Sequence, residues 1–464
     1  MNLYRIKKYL SFCLIGIVCV CQLSGCGYRE EVPAQTKIND EDVINGQVIL
    51  DEKEEAEESV SYERPVSKPN VLVDQSGYQT DDTKKVLFLG ENLSDSFSVV
   101  ECQTGEVIYT GNINTKGYDE ETDTYVSVGD FSEVKKNGDY YIETEIIGQS
   151  YPFSIGKNPY EDQYDSLIRE LMELDFSKDC ADVKEAADTV SNLLFTYEFF
   201  EQNTDKNGDG SQNQMPQLLV LAQKGCDLLL ACQNETDGSV SEGINKSTEL
   251  KADLETCYAY VAAMAGCGYE LKQYDANLAR QYIKAAEKTY TYCEKNGTES
   301  EGLYYAETRL YRATGTRRYH DKIKGYLEMQ KQLTVSENNI SGQRLYGDVV
   351  YLSTEAKVDQ DICTELMNNL LNRAEILAAQ AEKDYYLVGA DEKREINTIM
   401  DNMFLFAVVD HVIVSHEYLV ILKEQIHYLN GRNSDCAVEY NSAAAKSALL
   451  FILGDMLHRE ENIE

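Results

Sequence analysis

No tryptophan occurs among the 464 residues, which removes the largest aromatic surface on which a ring-shaped ligand can stack and leaves that task to the 33 tyrosines. Proline is nearly as scarce. There are six, and none follows Pro216, so the second half of the chain is free of the residue that most often interrupts helices. Positive charge is short too: 43 Lys and Arg against 80 Asp and Glu give a formal net charge of -37. A field of that sign repels phosphate backbones and anionic polymers and leaves neutral ones indifferent, so nucleic acid is excluded as a partner. No repeat of fixed period is visible, which lowers the case for a solenoid.

Cysteine is present, 13 times, but without metal-ligand spacing. Cys13, Cys19, Cys21 and Cys26 belong to the N-terminal segment. The other nine are an odd set that leaves at least one thiol free. Cys226, Cys257 and Cys267 fall on apolar faces of predicted helices, where cysteine acts as a small core residue, so no obligatory disulfide framework is predicted.

Arg5, Lys7 and Lys8 precede an apolar run from Leu10 to about Leu23 that closes on Leu23-Ser24-Gly25-Cys26. The run is shorter than the roughly 20 residues a membrane span needs. Small residues before a cysteine fit a lipoprotein peptidase, so residues 1–26 are expected to be a signal peptide with a lipobox. Cys26 would carry lipid and hold the protein to the bacterial cell membrane on its extracytoplasmic side. Residues 27–68 are acidic and lack apolar periodicity, with Glu54-Glu55 and Glu57-Glu58 repelling one another, and are expected to form a flexible tether.

Across 69–157 the pattern becomes short alternating runs such as Val86-Leu87-Phe88-Leu89 and Tyr140-Tyr141-Ile142, separated by Gly, Asn and Asp turns, as in a small β-sandwich. Across 158–460 it becomes helical. Periodic apolar stretches lie at about 160–174, 185–202, 216–233, 253–271, 275–295, 302–314, 317–333, 345–354, 358–382, 397–414, 417–430 and 441–458. Twelve helices on short loops suit six hairpins closed into an (α/α)6 barrel, although periodicity alone allows an open array.

The sandwich stretch resembles the immunoglobulin-like module that precedes the catalytic domain of many glycoside hydrolase family 9 cellulases. The residues that carry the likeness are Val73-Asp74-Gln75-Ser76-Gly77-Tyr78, Thr104-Gly105-Glu106-Val107, Asp130-Phe131-Ser132, Gly138-Asp139-Tyr140-Tyr141 and Ser150-Tyr151-Pro152-Phe153-Ser154-Ile155. Asp74 stands where that module usually has Asn. The helical half resembles the same family through Thr189 to Glu198, Met215-Pro216-Gln217-Leu218-Leu219, Cys226 to Gln233, Tyr311-Arg312-Ala313-Thr314-Gly315 and His427-Tyr428-Leu429-Asn430-Gly431-Arg432-Asn433. The resemblance implies an immunoglobulin-like sandwich followed by an (α/α)6 barrel.

Glucan hydrolysis by inversion needs one carboxylate to activate water and one carboxylic acid to protonate the leaving oxygen. In the family the base comes from an Asp-Ala-Gly-Asp loop inside a long insertion. Here the insertion is absent and only Asp179 and Asp182 of Asp179-Cys180-Ala181-Asp182 stand as relics; the alternative is that they cap helices. The acid loop is also cut short, and aligning Asn441-Ser442 with the next helix puts Asp435 where the family has Glu. Tyr304, Tyr305 and Tyr440, with Tyr385 and Tyr386, are the tyrosines nearest predicted helix ends and the candidates for a sugar platform, against the alternative that they fill half-buried faces. Asp205-Lys206-Asn207-Gly208-Asp209-Gly210 spaces oxygens at 1, 3 and 5 with glycine at 6, as in a calcium loop, but its twelfth position is Pro216. Calcium at Asp205, Asn207 and Asp209 is an expectation, beside a polar turn. Two functions follow: an anchored protein that binds a polysaccharide or surface protein without cleaving it, or a weak or altered endo-β-1,4-glucanase.

Overall fold

The computed structural model describes residues 62–156, 159–201, 215–244, 251–332, 342–389, 394–413, 418–433 and 440–460. Cys26, the residues of the calcium-loop motif and Asp435 lie outside the described residues. Among the described residues, no helix is long and apolar enough to cross a membrane.

Ten strands form the N-terminal sandwich. One sheet orders β1 (Val71–Leu72), β3 (Lys85–Leu89), β7 (Thr124–Asp130) and β6 (Asn114–Asp119). The other orders β2 (Tyr78–Gln79), β10 (Phe153–Gly156), β8 (Gly138–Thr144), β4 (Ser96–Glu101) and β5 (Val107–Asn112), with β9 (Gly148–Gln149) against β8. Side chains alternate across a strand. Val86 and Phe88 therefore join Phe97, Val99, Tyr140 and Ile142 between the sheets. Leu87 points to the opposite face with Leu72, Val126 and Val128. That second apolar face would be costly in water and is instead covered by Tyr386 and Val388 from the helical half.

The helices are α1 (Pro159–Met172), the single turn α2 (Phe176–Asp179), α3 (Val183–Thr196), α4 (Gln217–Cys232), α5 (Leu254–Glu270), α6 (Ala276–Asn296), α7 (Glu301–Thr314), α8 (Arg317–Gln332), α9 (Gly342–Ser353), α10 (Gln360–Ala381), α11 (Ile396–Ile413), α12 (Leu419–Leu429) and α13 (Ala443–Glu460). Their starts are chemically marked: Asp182, Asp253, Asp275, Ser300 and Asp359 each accept a backbone N–H of the first turn. The helix α7 stops at Gly315, whose φ of 66° suits glycine.

Helices α3, α5, α7, α9, α11 and α13 pack each on the next, and α13 returns to α3, which closes the ring. The open-array alternative is thereby removed. The inner helices are enclosed on most sides, and every residue from Gly302 to Ala313 of α7 is buried, Glu307, Arg309 and Arg312 included. Phe195 of α3 occupies the axis, with ring centroids of Tyr305, Tyr346, Phe404 and Phe451 at 6.4, 5.3, 5.2 and 6.5 Å. At the C-terminal ends of the inner helices the core becomes ionic. Glu198 binds Arg309 at 2.5 Å and Arg312 at 2.9 Å, and Arg312 reaches Glu270 at 3.3 Å.

Sandwich and barrel meet through buried polar contacts as well as through the covered sheet face. Asp74 accepts the N–H groups of Ser76 and Gly77 at 2.7 and 3.1 Å with Oδ1, while its Oδ2 lies 2.7 Å from His427 Nδ1 and accepts from Asn430 at 3.3 Å. The departure from Asn at this position thus has a partner, a histidine on α12. Nearby, Lys423 pairs with Asp82 at 2.5 Å and Lys85 with Glu424 at 2.8 Å. Arg394 joins Asp119 and Glu121 of the sandwich side to Asp384 of the barrel side, with its guanidinium 4.3 Å from the centre of the Tyr386 ring.

Candidate functional site

The N-terminal ends of the inner helices gather at one rim. Glu185 at the start of α3 accepts the N–H of Ala443 at the start of α13 at 2.9 Å. Asp401 at the start of α11 accepts the N–H of Gly342, the first residue of α9. A Cβ at Gly302 would meet the side chains of both Glu255 and Gln343, which brings α5, α7 and α9 together at the same rim.

Below that rim three side chains converge above the Phe195 plug. Tyr346 of α9, half-buried, packs edge-on against Phe404 with centroids 4.7 Å apart. Burial raises its hydroxyl well above the ordinary tyrosine range, and Asp401, Asp188 and Tyr305 push it the same way. Two carboxyl groups therefore stand near one tyrosine hydroxyl, from α3 and α11. Burial pushes Asp401 up to about 6, against the opposing pull of the Gly342 N–H and the Arg373 guanidinium. Asp188 is also raised, by burial first, although Lys184 at 2.6 Å pulls the other way. Its side chain keeps 35% of its exposure, so this is a carboxyl in a recess that water still reaches. The arrangement offers an aromatic face, two acids of raised pKa and two cations, Lys184 and Arg373, which together can hold a polar ring with an apolar face and can donate a proton near neutral pH.

The base-side relics are placed differently. Asp182 is the N-cap of α3 and accepts the Glu185 N–H at 2.8 Å, while Glu185 returns to the N–H of Ala181, one residue ahead of the cap, at 2.7 Å. Asp179, at the end of the α2 turn, accepts the Asp175 N–H at 2.8 Å. Both carboxylates are engaged with backbone at helix ends, as the capping alternative requires.

The tyrosine candidates are corrected in part. Tyr304 is 0% exposed and Tyr305 3%; the Tyr304 hydroxyl donates to Asp348 at 2.7 Å and Tyr305 accepts from Arg309 at 3.2 Å. They sit inside the wall, because α7 is an inner helix enclosed on all sides, and no face is open to a sugar. Tyr386 is likewise buried, in the sandwich contact. Tyr440 is half-buried, just ahead of α13, with its hydroxyl buried and unpartnered. The residues that do converge, Tyr346, Asp188 and Asp401, were not singled out by sequence reasoning. The available signal was the charge itself: Asp188 follows Ala186-Ala187 and Asp401 separates Ile399-Met400 from Met403-Phe404-Leu405, a carboxylate beside an apolar stretch in each case. Among the described residues, no group of three or more His, Cys, Asp or Glu could hold a metal ion.

Comparison with known proteins agrees with the sandwich-and-barrel architecture. The sequence pattern of the cellulase N-terminal ig-like domain matches residues 66–149, and that of glycosyl hydrolase family 9 matches residues 183–438. Endoglucanase D of Acetivibrio thermocellus is 32% identical over 98 residues, 21% of this chain. The match spans only 15% of that relative's length. Among solved structures, a metagenome-derived family 9 endoglucanase superposes with a TM-score of 0.65 at 16% identity, covering 83% of this chain and 98% of that one. A Bacteroides ovatus family 9 protein gives 0.65 at 12% identity, covering 83% and 98%. A family 9 structure solved with a cellobiose-like isofagomine gives 0.64 at 15%, covering 84% and 100%. At such identities the likeness establishes the fold and carries no activity across. Sequence pattern and ring closure together place this chain in glycosyl hydrolase family 9.

Proposed function

We propose that this family 9 chain is an exported, lipid-tethered glycan-binding protein in which β-1,4-glucan hydrolysis is absent or very weak. The observation that carries the reading is that Asp179 and Asp182 each commit a carboxylate oxygen to a backbone N–H at a helix end, a use that serves the local fold and not a substrate. General acid and base catalysis contribute roughly 10²–10⁴-fold and need hydrogen-bond reach to substrate. What stays at the rim is a binding surface, with Tyr346 as the stacking ring and Asp188, Lys184, Asp401 and Arg373 as hydrogen-bonding groups. The tether is supported by the Leu23-Ser24-Gly25-Cys26 sequence; labelling cells with radioactive palmitate should mark the wild type and not Cys26→Ala.

The binding claim is tested by co-sedimentation with amorphous cellulose, xylan and peptidoglycan, paired with a reducing-sugar assay. Retention on at least one polymer is expected, weakened about tenfold or more in Tyr346→Ala with the helical spectrum intact, and no sugar release above the blank. Failure to bind any of them shifts the reading to a protein partner.

A second reading is favoured by the raised Asp401. Asp401, which burial pushes up to about 6, and Asp188 on α3 are a pair of carboxyl groups that a rebuilt, altered glycosidase would use, provided the two span roughly 6.5–9.5 Å. Sugar release that disappears in Asp401→Asn would select this reading over the first.

A further inference from the structure

Inner helix α5 carries one thiol in its first turn, Cys257, and one in its last, Cys267. Each meets a thiol from a flanking outer helix. Cys257 shares a hydrogen bond with Cys293 near the end of α6. Cys267 shares one with Cys226 of α4, whose sulfur also lies 3.9 Å from the Ala263 carbonyl. All four side chains are 0% exposed, and all four are free thiols in this structure. The two meetings are at opposite ends of one helix, so they cannot share a metal ion. A buried free cysteine ordinarily behaves as a small apolar residue. Two separate thiol–thiol contacts, each between consecutive helices of the chain, ask for more than that.

We propose that Cys226–Cys267 and Cys257–Cys293 are two disulfide-forming pairs that staple both ends of α5 to its outer neighbours when the chain folds in oxidising surroundings. Each bond forms by thiol–disulfide exchange with a low-molecular-weight disulfide. One cysteine thiolate attacks the reagent and releases one thiol; the second cysteine then displaces the other and closes the protein disulfide. The two cysteines lose two protons and two electrons, and the reagent disulfide takes them up as two thiols. Exchange must precede complete packing, because no solvent path reaches the sulfurs afterwards. The same burial then shields the closed bonds from reductant. Each bond would close a long stretch of chain, from 226 to 267 and from 257 to 293, and longer loops restrict the unfolded chain more. Export supplies the oxidising compartment in which such bonds persist, but the pairing itself follows from the contacts alone.

The test refolds the full chain from urea in two buffers, one with mixed oxidised and reduced glutathione and one with excess reductant. Each sample is then unfolded and alkylated with iodoacetamide, and its intact mass and non-reducing peptide map are recorded. The oxidised sample is expected to carry four fewer alkyl groups, with linked peptides joining Cys226 to Cys267 and Cys257 to Cys293, and to unfold at higher urea than the reduced sample. In Cys293→Ser only the second link should vanish and the first should remain. Equal alkylation in the two buffers, a mixture of other pairings, or equal urea midpoints would overturn the proposal.

Discussion

Glu307 offers a clean measurement of what a buried acid does to this fold. The residue is 0% exposed on α7 and accepts the Tyr290 hydroxyl at 2.8 Å with Oε1, while Oε2 has no partner. Burial pushes the carboxyl up to about 7; the Tyr290 bond opposes that, Glu299 adds to it and Lys322 opposes it. Tyr319 and Arg318 of α8 complete the surroundings of Tyr290. An acid whose folded pKa lies above its unfolded value keeps its proton longer in the native state, so the native state binds more protons between the two values and stability falls as pH rises through that window. The unfolded value is 4.5, and each tenfold difference in proton affinity between the two states is worth about 1.4 kcal/mol. Between pH 5 and pH 8 the wild type should therefore lose about 2–3 kcal/mol through this residue alone. Glu307→Gln keeps an oxygen for Tyr290 and removes the charge. Urea melts of both proteins at pH 5, 6, 7 and 8 cancel every other titration, and the stability of the variant relative to wild type should climb by that amount across the series. A difference that stays flat with pH would refute the reasoning, since it would mean that Glu307 titrates alike in both states.

Two other variants probe the ionic contacts. Glu198→Gln leaves Arg309 and Arg312 buried without their shared anion and should cost roughly 3–5 kcal/mol by denaturant melting, the range for breaking a buried pair from one side; burial raises the Glu198 carboxyl and the two arginines more than reverse that, so its pKa stands lowered and its contribution is present above pH 4.5 and lost as pH falls through the folded value. Asp74→Ala removes the acceptor of His427, Asn430, Ser76 and Gly77 together and should lower the melting temperature by several degrees by calorimetry, whereas Asp74→Asn, which keeps an acceptor oxygen, should lose much less.

The twelve helical stretches were readable because inner and outer helices of a barrel bury wide faces, and the sandwich because its strands alternate with turn residues. Two local features escaped. The turn α2 is too short to show a period, and the stretch drawn as one helix over 185–202 passes from α3 into a π-helical turn at Tyr197–Glu201, whose side-chain pattern does not differ enough from a helical one. The candidate site was less legible. Tyr304-Tyr305 reads as a pair of surface rings at a helix start, yet an inner helix has no surface, and only ring closure reveals which helices are inner. Tyr346 looks like any helical tyrosine until Asp188 and Asp401 are seen beside it, one from α3 and one from α11. Nothing local marks Asp74 as the partner of His427, 353 positions away. Long-range polar pairing is set by the packing of whole elements, which periodicity does not encode.

The covered sheet face has a bearing on how such chains can evolve. Leu72, Leu87, Val126 and Val128 meet Tyr386 and Val388, and Asp74 depends on His427 and Asn430. A sandwich transplanted from this chain onto another barrel would arrive with an exposed apolar sheet and a carboxylate lacking its histidine, and the barrel left behind would present the reverse defects. Recombination at the short link between β10 and α1 would thus yield two poorly soluble halves unless the segment around 384–388 and the His427–Asn433 stretch travelled too. Sandwich and barrel of this chain would therefore have to move as one unit, even though the chain crosses between them only once.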